Sequence, residues 1–222
     1  MLSPLQERVA TIVAGLEEAE DFALSGGAAL IVQGTIRRPT RDLDFFGLTP
    51  DAVDRLLPRV EEAMLEEGLQ VERVQSNHGF ARLVIQDGQD RTELDLAADA
   101  RLFPAQPGHP APTLTGPELG ADKVLAVFGR AEARDFGDLL MLESRYGLDR
   151  LVRLAAEKDR GFSLRFFDEM LGRFERFRRE EFDLSDLDYG TLSRSVPRWQ
   201  ERVRELALGK VRDQDLGREI DL

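Results

Sequence analysis

Ser25-Gly26-Gly27-Ala28-Ala29-Leu30, followed by Arg37-Arg38-Pro39-Thr40-Arg41-Asp42-Leu43-Asp44-Phe45-Phe46, is the stretch on which the fold turns. The glycine pair ends a short apolar strand, Phe22-Ala23-Leu24, and opens a short helix over Ala28–Gln33 that stops at Gly34. Arg41–Phe46 alternates as a strand. Residues i and i+2 of a strand share a face, so Asp42 and Asp44 project together while Leu43 and Phe45 point into the core. Two adjacent anions repel, and a divalent cation held by carboxylates and nucleotide phosphates relieves them.

A second acidic strand lies downstream in Thr92-Glu93-Leu94-Asp95-Leu96. If it pairs beside the Asp42 strand, Asp95 completes a three-carboxylate site able to hold two Mg²⁺ ions. Gly26 and Gly27 supply the complement: a strand-to-helix turn with exposed N–H groups and small residues that admit a phosphate, with Ser25 offering a hydroxyl. Taken singly, each feature has a plain structural explanation as a turn, a solvated strand edge or the outer face of a hairpin. Their conjunction, in this order, describes triphosphate binding next to a metal site.

Around this centre, Ser3-Pro4-Leu5-Gln6 is a capping box with proline at the first helical position and opens a helix to about Ala19. Thr49-Pro50 starts a helix ending at Gly68. Leu69–Gln75, Phe80–Gln86 and Arg91–Ala97 read as strands, the last two joined by the turn Asp87-Gly88-Gln89-Asp90. Phe103–Pro112, with its four prolines, is a linker or ordered surface loop. Beyond it the pattern is helical. Thr115-Gly116-Pro117-Glu118 reads as a second capping box, its helix running to about Phe128, and further helices are predicted at Arg134–Tyr146, Leu148–Lys158, Ser163–Arg179 and Thr191–Leu206. The expected class is α+β, with an α+β domain over 1–110 and a helical bundle domain over 111–222.

Composition narrows the chemistry. The 222 residues include no cysteine and only two histidines, His78 and His109, so thiolate sites, cysteine nucleophiles and histidine-built zinc sites fall away. Any metal should be a hard cation held by oxygen. The net charge of −12 argues against non-specific coating of nucleic acid, although 20 of the 30 basic residues follow residue 105. No apolar run reaches membrane-spanning length and no signal-peptide pattern opens the chain, so a cytoplasmic protein is expected.

The ordered pattern resembles the polymerase-β-type nucleotidyltransferase superfamily. The longer stretch, Gly26-Gly27-Ala28-Ala29-Leu30 and then Arg38–Phe45, is similar to the AbiEii-type toxins, the nucleotidyltransferase halves of type IV toxin–antitoxin systems. A lysine helix, Ala121-Asp122-Lys123-Val124-Leu125-Ala126, and the run Arg130-Ala131-Glu132-Ala133-Arg134-Asp135-Phe136-Gly137-Asp138-Leu139 match that family as well. Many superfamily members carry Gly-Ser at the turn; here the pair is Gly26-Gly27, preceded by Ser25.

The resemblance implies a minimal nucleotidyltransferase domain followed by a helical domain, with the site in the cleft between them. It implies Mg²⁺-dependent transfer of a nucleoside monophosphate from an NTP to an acceptor, with tRNA the family's plausible acceptor and a cognate antitoxin as partner. Asp42 and Asp44 would bind metal, and Asp95 would bind metal or act as base. Ser25, Gly26, Gly27, Lys123 and Arg130 would hold the nucleotide, with Asp138 orienting Lys123. A transferase acting on a protein or small molecule, and a non-catalytic nucleotide-binding module, are the alternatives. Read physically, Lys123 and Arg130 share a face if their helix persists that far. Arg134 and Asp138 could equally be a surface i,i+4 pair. Arg165, Arg173, Arg176, Arg178 and Arg179 interleave with Phe166, Phe167, Phe174 and Phe177, a pattern that fits either RNA contact or a core face backed by a solvated one. His78 reads as a turn residue and Trp199 as packed in the last helix.

Overall fold

The computed structural model describes residues 1–183 and 188–209; the last stretch of the expected helical domain, 210–222, lies outside them. Helix α1 (Pro4–Ala14) carries the expected Ser3/Gln6 capping box. It ends at Gly15, short of the predicted Ala19, and a 3₁₀ turn over Glu17–Ala19 takes up the remainder. Strand β1 (Ala23–Ser25) passes directly into α2 (Gly26–Val32), which begins at the glycine pair itself rather than at Ala28. Then come β2 (Asp42–Gly47), α3 (Pro50–Glu66), and the strands β3 (Gln70–Asn77), β4 (Phe80–Asp87) and β5 (Asp90–Ala98).

The strands form one sheet in the order β1-β2-β5-β4-β3. β2 and β5 pair in parallel; the other neighbours are antiparallel. Strict alternation in β2 buries Leu43 and Phe45, and the same face of β4 and β5 buries Ala81, Leu83, Ile85, Leu94 and Leu96. These side chains share one apolar core with Leu56, Val60 and Met64 of α3 and with Val9 and Val13 of α1.

The proline-rich segment is an ordered loop. Leu24 N–H donates to the Pro112 carbonyl, Leu114 N–H donates to the Leu24 carbonyl, and Gln106 and Thr113 exchange backbone bonds. The loop therefore lies against the free edge of β1 and satisfies its backbone groups.

Helices α4 (Gly116–Gly129), α5 (Ala133–Tyr146), α6 (Leu148–Lys158), α7 (Leu164–Leu171) and α8 (Tyr189–Ala207) follow. The capping box expected at Thr115 does not form: the Thr115 hydroxyl is buried without a partner. Glu118 instead accepts hydrogen bonds from the N–H groups of Leu102 and Phe103 and pairs with Lys158. A fully buried carboxylate gains more from a cation and two donors than from one cap N–H.

The helix expected over Ser163–Arg179 also breaks. It stops at Leu171, and 3₁₀ turns at Gly172–Arg176 and Arg179–Glu181 replace its second half. Gly172 weakens the helix there. The turns bring Phe174 and Phe177 against Phe136 of α5, with ring centroids 5.6 and 6.1 Å away. The phenylalanines of this stretch are thus mainly core, with Phe166 the exposed exception. Trp199 is buried, and the apolar core runs without a break from Leu2 to Val203.

Lys158, at the end of α6, anchors the two halves. Its buried ammonium lies 2.7 Å from Asp99, 3.3 Å from Glu118 and 2.5 Å from Asp122. Replacing it by methionine leaves three acids around an uncompensated site. Lys158→Met is expected to cost about 3–5 kcal/mol, measured by urea denaturation. The loss should be larger at pH 8 than at pH 5, where Asp122, pushed up to about 6 mainly by burial, takes up a proton and relieves the repulsion.

Candidate active site

The parallel register between β2 and β5 sets Asp42 opposite Glu93 and Asp44 opposite Asp95. On the other side β1 sets Ser25 opposite Asp44. Asp44 therefore sits in the middle of a row that runs from the glycine turn to Asp95, on the sheet face away from the core.

The glycine pair has an internal reason to be glycine. Gly26 has a φ of +59° and lies so close to Asp44 that a Cβ would fall on its Oδ2. A Cβ at Gly27 would come 2.8 Å from Thr40 Oγ1. Any larger residue would push the acids and their supports away from the turn. Ser25, by contrast, is buried, makes no cap bond to α2, and directs its hydroxyl to Asp122 Oδ2 at 3.5 Å.

The three acids differ in their surroundings. Asp42 accepts from the Thr40 hydroxyl at 2.6 Å and faces Arg134 Nη1 at 3.5 Å. Burial pushes its carboxyl up, but the Thr40 bond and the Arg134 charge outweigh this and hold it below the usual range. Asp95 is gripped by Arg82, its cross-strand partner on β4, through two bonds of 2.8 and 2.6 Å. Asp44 takes no hydrogen bond or ion pair from any described residue. Burial, then repulsion from Asp42 and Asp95, pushes its pKa up to about 7.

The helical half brings cations to this row. Lys123 of α4 is buried, with Nζ 2.9 Å from Asp138 Oδ2 and 3.4 Å from Asp135 Oδ1, both on α5. Arg38 clasps Asp138 through bonds of 2.9 and 2.6 Å. Arg130 clasps Asp135 through bonds of 3.0 and 3.1 Å. Burial pulls Lys123 down, yet the charges of Asp138 and Asp135 more than compensate and keep it protonated. Asp138 is held ionised in turn: burial pushes it up, and Lys123 and Arg38 bring it below its ordinary value. Lys123 also acts on Asp42 and Asp44, lowering the pKa of each.

Helix α4 ends at Gly129, so Arg130 is its cap residue and does not share a helix face with Lys123; the two converge instead on Asp135. The Arg134–Asp138 surface pair does not form, because Arg134 turns to Asp42 and Glu132 while Asp138 is taken by Lys123 and Arg38. The structure thus gathers Asp42, Asp44, Asp95, Gly26, Gly27, Lys123, Asp138 and Arg130 about one end of the sheet, with Ser25 facing α4. Sequence reasoning assigned no role to Thr40, Arg38 and Arg82. The first two stand inside the motif next to Asp42, but Arg82 carries no local signal, since only the β4–β5 register brings it to Asp95.

The donor set fits a hard divalent cation at Asp42 and Asp44: Asp44 is an ionisable oxygen ligand with no donor among the described residues, raised by burial and then by its neighbours' negative charge. Each oxygen of Asp95 accepts one bond from Arg82 and keeps a lone pair. A different trio, Asp51, Asp54 and His78, has ligand atoms within 4.8 Å of one another, but all three are exposed, at the start of α3 and the β3–β4 turn. A cavity of about 830 Å³ lies between α6 and α8 beside Trp199, and none of the row's acids lines it.

The AbiEii family, described as a nucleotidyl transferase toxin of a type IV toxin–antitoxin system, matches residues 12–216. The crystal structure of JHP933 from Helicobacter pylori shares 18% identity at a TM-score of 0.58, covering 95% of this chain and 96% of that one. A second H. pylori structure, of a candidate nucleotidyltransferase, shares 19% identity at a TM-score of 0.59 and covers 95% of this chain and 100% of that one. The Mycobacterium tuberculosis nucleotidyltransferase toxin MenT4 shares 19% identity at a TM-score of 0.48, covering 90% and 81%. No curated protein matches the chain. The H. pylori likenesses show that the fold is shared along nearly the whole length.

The crowding of Asp44 has a measurable consequence in metal-free protein. Its folded pKa of about 7 stands above the ordinary 3.8, so the folded state binds more protons than the unfolded one between these values. Stability contributed by this group is therefore lost as pH rises from about 4 through 7. Asp44→Asn removes the repulsion. In EDTA it should raise the melting temperature at pH 8, by about 2–4 °C for each kcal/mol relieved, and the gain should shrink towards pH 5.

Proposed function

The chain belongs to the AbiEii family of nucleotidyl transferase toxins, and from that premise we propose that it transfers a nucleoside monophosphate from an NTP to a hydroxyl of tRNA in a Mg²⁺-dependent reaction. The observation that carries this reading is Asp44, set between Asp42 and Asp95 with no donor among the described residues and pressed against Gly26. We divide the chain near residue 110: the first part carries the acids and the glycine turn, the second carries Lys123 and its partners.

Asp42 and Asp44 would hold the metal, with Asp95 joining them or serving as base. When bound, Mg²⁺ supplies positive charge to the phosphate oxygens and eases ionisation of the attacking hydroxyl. The backbone at Gly26 and Gly27 receives the phosphates. Lys123, with two of its three N–H donors directed to Asp138 and Asp135, keeps the third for a phosphate oxygen. Asp138 and Arg38 lock the position of that ammonium, so charge stabilisation is preorganised. Arg130 holds Asp135 in place and leaves donors over for the nucleotide. The acceptor oxygen bonds to the α-phosphorus, the bond from that phosphorus to the bridging oxygen breaks, and pyrophosphate leaves. The hydroxyl proton passes to Asp95, whose carboxylate keeps free lone pairs while Arg82 holds it.

A cognate antitoxin encoded alongside would restrain this activity, and the cytoplasm is where both NTP and tRNA are met. Among the described residues no helix is long and apolar enough to cross a membrane. The net charge of −12 favours one other reading, an acceptor that is a protein or a small molecule.

Purified protein incubated with Mg²⁺, each α-labelled NTP in turn and total cellular RNA or protein separates these readings. Label is expected in small RNA. The Asp42→Ala/Asp44→Ala double variant should lower it by about 10³-fold or more, and EDTA should abolish it until Mg²⁺ is restored. Label confined to protein would overturn the tRNA assignment and keep the transferase.

A further inference from the structure

The cations described above lie on one side of the acid row, except Arg82. Lys123, Arg38, Arg130 and Arg134 come from the α2–β2 connection and from the helical half, beside the glycine turn. Arg82 comes from β4, on the far side of Asp95. An in-line displacement needs its nucleophile opposite the leaving group. If the triphosphate lies at the glycine turn and Lys123, the acceptor must approach across β5 and β4.

Arg82 stands half-exposed on that approach. Ala81, Leu83 and Ile85 of β4 point into the core shared with α3. The opposite face of β4 presents Phe80, Arg82 and Val84, next to Glu93 and Asp95 of β5. Val84 is buried by its surroundings yet stands outside the main apolar core. Phe80 is half-buried, and the Arg82 guanidinium lies over its ring, 5.9 Å from the centroid. Arg82 spends Nε and Nη2 on Asp95, and its Nη1 makes no bond with any described residue. The result is an aromatic ring and one unspent nitrogen of a half-exposed guanidinium beside the proposed base.

We propose that Phe80 and Arg82 form the acceptor subsite, Phe80 stacking on the terminal base of a single-stranded RNA end and Arg82 holding its phosphodiester, so that the terminal hydroxyl reaches Asp95. This rests on the RNA acceptor proposed above. An aromatic side chain beside a half-exposed arginine is a pairing that suits unpaired nucleotides, whose bases offer a stacking face and whose backbone offers anions. Arg82 then has two tasks: it orients Asp95 and it fixes the strand on which Asp95 acts.

Steady-state labelling with total tRNA as the varied substrate tests this in the full chain. Arg82→Ala and Phe80→Ala should each raise KM for RNA about tenfold or more, with KM for NTP changed less than twofold. Phe80→Trp should keep the wild-type KM, and Arg82→Lys should recover part of it. The salt slope of RNA binding, read by fluorescence anisotropy of a labelled single-stranded RNA, should fall by about one phosphate contact in Arg82→Ala. A fall in kcat alone, with KM for RNA and the salt slope unmoved, would overturn the subsite and leave Arg82 as a holder of Asp95. Wild-type protein that labels no RNA would overturn the acceptor itself, an outcome visible before any variant is made. Should Arg82→Ala lose its circular-dichroism signal, Arg82→Lys and Phe80→Ala decide.

Discussion

The parallel pairing of β2 with β5 is the contact on which the site depends. The two strands are separated in sequence by α3 and the β3–β4 hairpin, and their pairing sets Asp44 beside Asp95. Because side chains alternate along a strand, a shift of one residue would turn Asp95 into the core and bring Leu94 or Leu96 to the acids. The apolar partners Leu43, Phe45, Leu94 and Leu96, all buried under α1 and α3, make such a shift costly. The core thereby determines which carboxylates meet, although it touches none of the chemistry.

Placing three carboxylates together leaves an excess of negative charge, and much of the second half of the chain can be understood as its counterweight. Lys123, buried between Asp138 and Asp135, would be out of place in a core without them. Arg38, which precedes β2, reaches across to Asp138 of α5 and so ties the acidic strand to the helical half. Lys158 repeats the principle a short way off, drawing Asp99, Glu118 and Asp122 together, and Asp122 in turn receives the Ser25 hydroxyl. Asp122 is pushed up to about 6: burial and the neighbouring Asp99 and Glu118 raise it, and Lys158 offsets part of the rise. The two ion networks meet the glycine turn through different residues: Arg38 lies against Gly27, and Asp122 accepts from Ser25.

Much of this was legible from residue order because the relevant signals are local. Alternation in Asp42–Phe46 and Thr92–Leu96 identifies the strands and the faces of their acids, and the glycine turn marks the strand-to-helix junction. The errors arose where a local rule met a distant partner. Thr115-x-x-Glu118 has the form of a capping box, yet Glu118 is drawn away by Lys158 and by the backbone of residues 102 and 103. The stretch from Ser163 is periodic enough for one long helix, yet the rings of Phe136, Phe174 and Phe177 meet only if it breaks at Gly172.

By itself the sequence determined the α+β order of elements, the acidic pairs, the glycine turn and the lysine helix, since each follows from residue type and short spacing. The tertiary structure alone decided which charges neutralise which. It put Arg38 and Lys123 on Asp138, Arg82 on Asp95, and left Asp44 without a donor among the described residues, because ion pairing depends on distances between side chains far apart in the chain, and those are set by strand register and by how α4 and α5 settle against the sheet.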